Sequence, residues 1–182
     1  MLVIGGSAGS FPSVSRILEH LPADYRLPVV MCLHRLRDKR EGFKEALEIK
    51  SLMPVSEPDD KEPVLASHVY IAPANYHLLL ESPSCFALAT TELVQYSRPS
   101  IDVLFESAAD AYKSKVMSVL LSGANRDGAL GMKRIVKKGG YTVVQDPKTC
   151  SMNTMPQAAM DLTPIDSIIS LDEIINFLVK LH

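Results

Sequence analysis

Short apolar runs alternate with segments of helical spacing along most of this chain, and no other feature restricts the fold as strongly. The predicted strands lie at residues 2–4, 28–33, 68–72, 116–121, 141–145 and 167–170. The predicted helices lie at residues 14–21, 43–50, 100–113, 128–138 and 171–181, the last N-capped by Ser170. Strands rich in Val, Ile and Leu that alternate with helices are typical of βαβ units. The sequence therefore predicts a doubly wound, three-layer α/β/α fold around a mostly parallel sheet.

One region breaks this alternation. Residues 77–81 and 85–90 form two extended runs, and the turn-forming segment Ser82-Pro83-Ser84 separates them. This pattern predicts a β-hairpin at one edge of the sheet. The chain has 182 residues, 47% of them hydrophobic, and contains no repeat or long polar linker. We therefore expect one domain with its own core over residues 1–182.

Composition excludes several classes of function. The 19 basic and 21 acidic residues are spread along the chain and give a net charge of −2, so no basic surface for nucleic acid is expected. Cys32, Cys85 and Cys150 lie far apart and form no C-x-x-C pair, which argues against disulfides and structural zinc. No apolar run reaches about 18 residues, and no basic leader is present. These features predict a cytoplasmic protein that is not inserted into a membrane.

The first strand runs directly into Gly5-Gly6-Ser7-Ala8-Gly9-Ser10. The spacing matches G-x-S-x-G, in which a sharp strand-to-helix turn exposes a serine hydroxyl at the carboxyl edge of the sheet. A glycine loop of the same geometry also holds phosphate at a helix N-terminus, so these residues alone leave both interpretations open. The dinucleotide spacing G-x-G-x-x-G fails at Ser7, and no lysine follows the loop as in a P-loop. These two departures favour a nucleophilic serine.

A histidine and an aspartate follow two other predicted strands. His34 ends the second strand, where an imidazole is suited to act as general base for Ser7. The alternative is a surface histidine in the basic segment HRLRDKR. We interpret His20, His68, His77 and His182 as structural or surface residues.

Asp127, in LLSGANRDGALG, is suited to orient the imidazole. Aspartate is also a favoured N-cap for the helix that follows, and both roles are compatible. Cys150 is a further candidate nucleophile, but no histidine lies near it in the sequence, and buried structural thiols are commoner.

Taken together, these segments resemble the catalytic domain of the chemotaxis-specific protein-glutamate methylesterases (CheB-type). IGGSAGS is similar to that family's I-G-x-S-x-G-G, LHR carries its histidine, and LLSGANRDGALG is similar to L-T-G-M-G-x-D-G-x-x-G. Further similarity lies in VYIAPANYHLLLE, in SRPSIDVLFESAA and in TMPQAA, which resembles the family's G-M-P-x-A-A turn. The order Ser, His, Asp differs from that of α/β-hydrolases. The resemblance covers essentially the whole chain.

The resemblance implies hydrolysis of glutamate γ-methyl esters on methyl-accepting chemotaxis receptors, with release of methanol, and also deamidation of receptor glutamine. Ser7 would attack, His34 would transfer the proton, and Asp127 would hold the imidazole. Backbone N–H groups around Ala8, Gly9 and Ala124 would support the oxyanion. The resemblance implies no metal or cofactor, and it places the methylated receptor helix over the carboxyl edge of the sheet.

The chain departs from the family pattern at Ala8 for threonine, Ser10 for glycine and Ala124 for methionine, while Arg126 is placed to compete for Asp127. These departures leave open a non-catalytic receptor-binding homologue as one alternative. The glycine turn leaves open a second, a nucleotide- or phosphate-binding α/β protein. The first strand also begins close to Met1, so we expect no receiver domain ahead of it and no control by phosphorylation in cis.

Overall fold

In a computed structural model that describes residues 1–34, 42–82 and 84–181, seven strands form one parallel sheet. Those seven are β1 (Leu2–Gly6), β2 (Val29–Leu33), β3 (Val55–Ser56), β4 (Val69–Ile71), β7 (Met117–Leu120), β8 (Tyr141–Gln145) and β9 (Ser167–Ile169), and two more strands, β5 (His77–Glu81) and β6 (Cys85–Ala89), lie outside this sheet. The helices are α1 (Phe11–His20), α2 (Phe43–Glu48), α3 (Ile101–Tyr112), α4 (Ala129–Lys137), α5 (Thr154–Leu162) and α6 (Leu171–Val179).

The strand order of the sheet is β3-β4-β2-β1-β7-β8-β9. Strand β1 is central and pairs in parallel with β2 on one side and with β7 on the other. The chain winds outward from β1 through β2, then returns to β7 and winds outward in the other direction. The β1–β7 junction is thus a topological switch point, where the carboxyl ends of strands in such sheets form a crevice for ligands.

Alternating side chains of the central strand enter two different cores. Leu2 and Ile4 of β1 pack with α1, α2 and α6, whereas Val3 packs with α3, α4 and α5 on the other face. Both faces of the sheet are therefore covered by helices, as the near-continuous apolar strands require. The predicted α/β/α fold with a mostly parallel sheet is confirmed.

The predicted hairpin is present as β5 and β6, which form a separate two-stranded sheet; one further antiparallel bridge joins Cys85 of β6 to Pro63. It differs from an ordinary edge extension because it packs on α3, where the Leu80 N–H donates to Ser107 Oγ at 3.0 Å. Leu78, Leu80 and Phe86 join the core on that face. Pro83 of the predicted turn lies outside the described residues.

Two elements were not predicted. The segment TMPQAA, interpreted as a turn, is the start of α5, in which Pro156 occupies the first turn, where proline is tolerated. Strand β3 has only two residues, too few for a sequence pattern. The predicted N-cap of the last helix is confirmed, because Ser170 and Glu173 form a capping box. Within the three described stretches of chain, no helix combines the length and apolar character needed to cross a membrane.

Candidate active site

The turn that carries Ser7 is held by backbone hydrogen bonds on both sides. The Ser7 N–H donates to the Ser122 carbonyl at 2.9 Å, which ties the turn to the loop after β7. The Ser7 carbonyl accepts from both the N–H of Ser10, at 3.0 Å, and the Ser10 hydroxyl, at 2.7 Å. Gly9 has a φ of +78°, a conformation that L residues with side chains rarely adopt. The chain therefore reverses sharply into α1 and leaves Ser7 partly exposed.

Ser10 is accommodated because Gly6 has no side chain. A Cβ atom on Gly6 would lie 2.6 Å from Ser10 Oγ, closer than packed atoms approach. The hydroxyl of Ser10, one of the departures noted above, therefore occupies space that a larger residue at position 6 would fill. It uses this space to donate to the Ser7 carbonyl.

His34 follows β2 directly and lies beside the serine turn. Its N–H donates to the Gly6 carbonyl at 3.0 Å, so the pairing of β1 with β2 fixes its backbone. Nδ1 of the imidazole lies 3.2 Å from Ser7 Oγ, and Nε2 lies 2.7 Å from Asp127 Oδ2. The structure thus brings together the three side chains that the sequence singled out, with the imidazole between the hydroxyl and the carboxylate.

Asp127 has a fully buried side chain whose hydrogen bonds come from another part of the chain than we expected. Its Oδ2 accepts from the Ile101 N–H at 2.7 Å, and its Oδ1 accepts from the Asp102 N–H at 2.9 Å and from the Ser100 hydroxyl at 2.8 Å. These groups stand at the N-terminus of α3. The prediction that Asp127 caps the helix following it is wrong: Gly128, with a φ of +97°, is the N-cap of α4, and the carboxylate reaches α3 instead.

These contacts keep Asp127 ionised. Burial by itself would raise the pKa of Asp127, but the hydrogen bonds from His34 and from the Asp102 and Ile101 N–H groups outweigh burial and lower it overall. Because an ionised carboxylate only accepts hydrogen bonds, Nε2 of His34 must carry a proton. In the neutral imidazole, the lone pair of Nδ1 then faces Ser7.

Comparison with known proteins identifies the family. The sequence profile described as CheB methylesterase matches residues 2–178. The chain belongs to the CheB methylesterase family. This confirms the predicted family and the predicted enzyme class, a hydrolase of carboxylic esters.

Three relatives illustrate the similarity. A Leptospira interrogans protein is 41% identical over 99% of this chain and 93% of its own length. Its provisional name is protein-glutamate methylesterase/protein-glutamine glutaminase. The Carboxydothermus hydrogenoformans protein-glutamate methylesterase/protein-glutamine glutaminase 1 is 35% identical over 96% of this chain but only 53% of its own length. The crystal structure of the Thermotoga maritima CheB methylesterase catalytic domain superposes with a TM-score of 0.94 at 30% identity, covering 100% of this chain and 97% of that one.

Asp102 was not singled out from the sequence, although it lies beside Asp127 in this candidate site. Its Oδ1 accepts from the N–H groups of Gly128 and Gly131, at 2.9 and 2.8 Å. Burial, together with the nearby charge of Asp127, raises the pKa of Asp102 to about 7. Asp102 could have been noticed in the sequence as an acidic residue in the first turn of a predicted helix, because acidic residues favour helix N-termini.

Asn125 was also missed, although it stands where the CheB motif quoted above has its second glycine. The side-chain Oδ1 accepts from the Asp127 N–H at 3.2 Å, and Nδ2 lies 3.4 Å from His34 Nδ1. A polar residue replacing a motif glycine between Gly123 and Asp127 was the signal in the sequence.

The remaining candidates lie around this centre. In the described part of the chain, the N–H groups of Ala8 and Ala124 have no hydrogen-bond acceptor, and both residues are exposed. Gly9 supplies the left-handed turn between Ala8 and α1. The expected competition by Arg126 is not observed, because Arg126 is not among the hydrogen-bond donors to Asp127 and instead lines a cavity of about 480 Å³ beside α4 and α5.

Cys150 is unsuited to act as a nucleophile. Burial, with a contribution from Asp146, raises the pKa of its thiol to about 11, whereas reactive thiols have lowered values. The other histidines in the described chain bind elsewhere: His20 contacts the Arg16 carbonyl, His68 the Ser56 hydroxyl and His77 the Glu92 carbonyl. His182 and the basic segment that follows His34, residues 35–40, lie outside the described residues.

Proposed function

We propose that this protein hydrolyses glutamate γ-methyl esters on methyl-accepting chemotaxis receptors and releases methanol, with Ser7, His34 and Asp127 as a catalytic triad. The observation that carries the proposal is the continuous contact from Ser7 Oγ to His34 Nδ1, at 3.2 Å, and from His34 Nε2 to Asp127 Oδ2, at 2.7 Å. Nucleophile, base and orienting carboxylate stand in the order that serine hydrolases use.

In the first step, Ser7 Oγ attacks the ester carbonyl carbon while its proton moves to His34 Nδ1. The carbonyl π electrons move onto the carbonyl oxygen, which becomes an oxyanion. Asp127 stabilises the imidazolium because it is ionised and accepts the Nε2–H bond. A serine hydroxyl alone is a weak nucleophile, so this proton transfer is needed for attack.

Backbone donors near Ser7 are suited to stabilise the oxyanion. The N–H of Ala8 follows the nucleophile in the chain, and the N–H of Ala124 belongs to the adjacent loop after β7. Neither has an acceptor within the described residues, so both are available to a substrate oxygen. Such donors act on charge that develops only in the transition state, and for that reason each contributes strongly to rate. Backbone N–H groups do not depend on the side chains at Ala8 and Ala124.

Collapse of the tetrahedral intermediate breaks the bond to methoxide, which takes the Nδ1 proton and leaves as methanol. A water molecule then attacks the acyl-serine with His34 again as base. Collapse of this second intermediate breaks the acyl–Oγ bond, Ser7 Oγ takes back the Nδ1 proton, and the product is a free glutamate carboxylate. With a glutamine side chain, the same steps release ammonia. The relatives' names pair the two activities, which supports deamidation as the second reaction of this site.

The substrate would approach from the carboxyl edge of the sheet, where all three loops end. Ser7 is partly exposed there, and the His34 side chain is 13% exposed, so an extended glutamate side chain on a receptor helix has access. The methylated helices of such receptors are cytoplasmic, and we place the protein in the same compartment. The nearly balanced charge of the chain, −2 overall, is consistent with a protein partner.

The decisive experiment is methanol release from receptor-containing membranes whose glutamates carry labelled methyl groups. The wild-type protein should release labelled methanol, and the Ser7→Ala variant should not. Labelling of Ser7 by a fluorophosphonate probe reports on the nucleophile independently of the receptor. A protein that binds methylated receptor but neither releases methanol nor reacts with the probe would be a non-catalytic receptor-binding homologue.

A further inference from the structure

The orientation of the Asn125 side chain is fixed by its neighbours. The Asp127 N–H points at one end of the amide, at 3.2 Å, so that end must be the oxygen. The other end, Nδ2, therefore carries its two hydrogens towards the catalytic centre and lies 3.4 Å from His34 Nδ1. Asp127 provides the N–H that binds the Asn125 amide, and its carboxylate binds His34. The same short segment therefore positions both the amide and the imidazole.

Two donors face one acceptor before the reaction begins. Nε2 of His34 donates to Asp127, so Nδ1 offers a single lone pair. The hydroxyl of Ser7, at 3.2 Å, and the amide of Asn125, at 3.4 Å, both point at this lone pair. The longer contact is the weaker one, and the second hydrogen of Nδ2 has no acceptor within the described residues.

This arrangement changes when Ser7 attacks. The Ser7 proton moves to Nδ1, which then becomes a donor, and the Asn125 amide loses its acceptor. At the same moment an oxyanion appears on the carbon bonded to Ser7 Oγ, and Ser7 Oγ and Asn125 Nδ2 lie 3.2 and 3.4 Å from the same atom, His34 Nδ1. A donor released as negative charge forms is what electrostatic stabilisation of a transition state requires.

The geometry points to Asn125 as a further catalytic residue, whose Nδ2–H donates to the oxyanion of the tetrahedral intermediate during acyl transfer. The amide transfers no proton and forms no covalent bond. The inference rests on the proposed serine mechanism and adds a side-chain donor to the backbone N–H groups of Ala8 and Ala124.

The neighbouring residue leaves room for this role. The motif quoted above has methionine followed by glycine, whereas this chain has Ala124 followed by Asn125. A long apolar side chain is thus replaced by a methyl group at the first position, and a polar side chain is gained at the second. Asn125 is half-buried between two exposed residues, so part of it is open to solvent.

The test compares Asn125→Ala and Asn125→Asp with the wild-type protein and with Arg126→Ala as a control in the same loop. Asn125→Asp keeps an oxygen for the Asp127 N–H but has no N–H to donate. The readouts are the second-order rate of Ser7 labelling by a fluorophosphonate and, on methylated receptor membranes, kcat and KM across pH. Thermal unfolding checks that each variant is folded.

We expect Asn125→Ala to lower kcat and the labelling rate by about 10²-fold on the pH-independent plateau, with KM unchanged. Asn125→Asp should lower both at least as much, because a carboxylate repels the oxyanion. Arg126→Ala should label at the wild-type rate.

Two results would overturn the inference. One is a plateau rate in both Asn125 variants within about twofold of wild type. The other is a change only in the acid limb of the pH profile, which would make Asn125 a positioning residue for His34. If wild type labels at Ser7 but releases no methanol, the proposed substrate is wrong, while the labelling rates still decide the role of Asn125.

Discussion

Asp102 and Asp127 exchange helix caps. Asp127, which precedes α4, accepts the first N–H groups of α3, while Asp102, in the first turn of α3, accepts the N–H groups of Gly128 and Gly131 at the start of α4. Each carboxyl group therefore occupies the positive end of the other's helix. The position of the carboxylate that holds His34 depends on this packing of α3 against α4, as well as on its own loop.

The first prediction concerns Asp127→Asn. An asparagine oxygen in the place of Oδ1 would keep the bonds from Ser100 and Asp102, but the amide nitrogen would then face two other donors, the N–H of Ile101 and Nε2 of His34. We expect methyl ester hydrolysis to fall by about 10⁴-fold because the imidazole loses its orienting acceptor. We also expect a loss of about 1–3 kcal/mol in the free energy of unfolding, because a buried donor is left unpaired.

Urea denaturation and methanol release measure the two losses of Asp127→Asn separately. The Ser7→Ala variant is the matched control, since it should lose activity without this loss of stability. Unchanged stability in Asp127→Asn would mean that α3 does not depend on the carboxylate.

The second prediction concerns Asp102 and pH. Its pKa in the folded protein is raised to about 7 by burial, and the ordinary value for aspartate is about 3.9. The folded state thus holds the proton more tightly than the unfolded chain does, so the contribution of Asp102 to stability is full below about pH 4 and is lost as the pH rises towards 7. Asp102→Asn does not ionise, and its oxygen can still accept from Gly128 and Gly131.

The measurement is the free energy of unfolding of Asp102→Asn and wild type at pH 5 and pH 7.5. We expect the difference between the two proteins to move in favour of the variant at the higher pH. All other titrating groups are shared, so their effects cancel in this difference. A difference that is constant with pH would mean that Asp102 is ionised in the folded protein throughout this range.

The third prediction concerns the two accessible members of the proposed triad. Ser7→Ala and His34→Ala should each reduce hydrolysis to background, and by similar factors, because the members of a triad act as a unit. Ser7 is partly exposed, so its loss should leave the free energy of unfolding within about 0.5 kcal/mol of wild type. His34→Ala should cost about 1 kcal/mol, because Asp127 loses one hydrogen bond but keeps three. Full activity in either variant, measured as methanol release, would remove that residue from the mechanism.

The sequence alone predicts the backbone positions of the site residues better than it predicts their side-chain contacts. The alternation of strands and helices was enough to place Ser7 and His34 at one sheet edge, because parallel strands joined by helices end on the same side. The G-x-S-x-G turn and the residues LHR then identified which side chains to examine.

The donors to Asp127 were beyond sequence reasoning for a physical reason. Ser100 and Ile101 precede Asp127 by 27 and 26 residues in the chain. Only the packing of α3 on α4 brings them together. Local propensity suggested the adjacent helix as the partner of the carboxylate, and tertiary packing supplied a different one. Helix α5 was missed because Pro156 reads as a turn signal, although proline is compatible with a first helical turn.

The last prediction tests whether Gly6 and Ser10 form one packing unit beneath the nucleophile. In Gly6→Ala, the added methyl group would lie 2.6 Å from Ser10 Oγ and 2.7 Å from Ser10 Cβ. Gly6 lies within β1 and is not among the residues with positive φ, so the backbone itself tolerates alanine. The cost of the substitution is therefore steric, and overpacking of this kind typically costs about 1–3 kcal/mol.

Ser10→Gly removes the hydroxyl that donates to the Ser7 carbonyl at 2.7 Å, and we expect it to cost about 1 kcal/mol. The double variant has no clash, because the side chain that the new methyl group would meet is absent. Its loss of stability should therefore be smaller than the sum of the two single losses by about 1–2 kcal/mol. Urea denaturation of the four proteins gives this coupling energy, and fluorophosphonate labelling shows whether the turn still presents Ser7. Additive losses would mean that the turn relaxes around the methyl group, and that Ser10 does not depend on glycine at position 6.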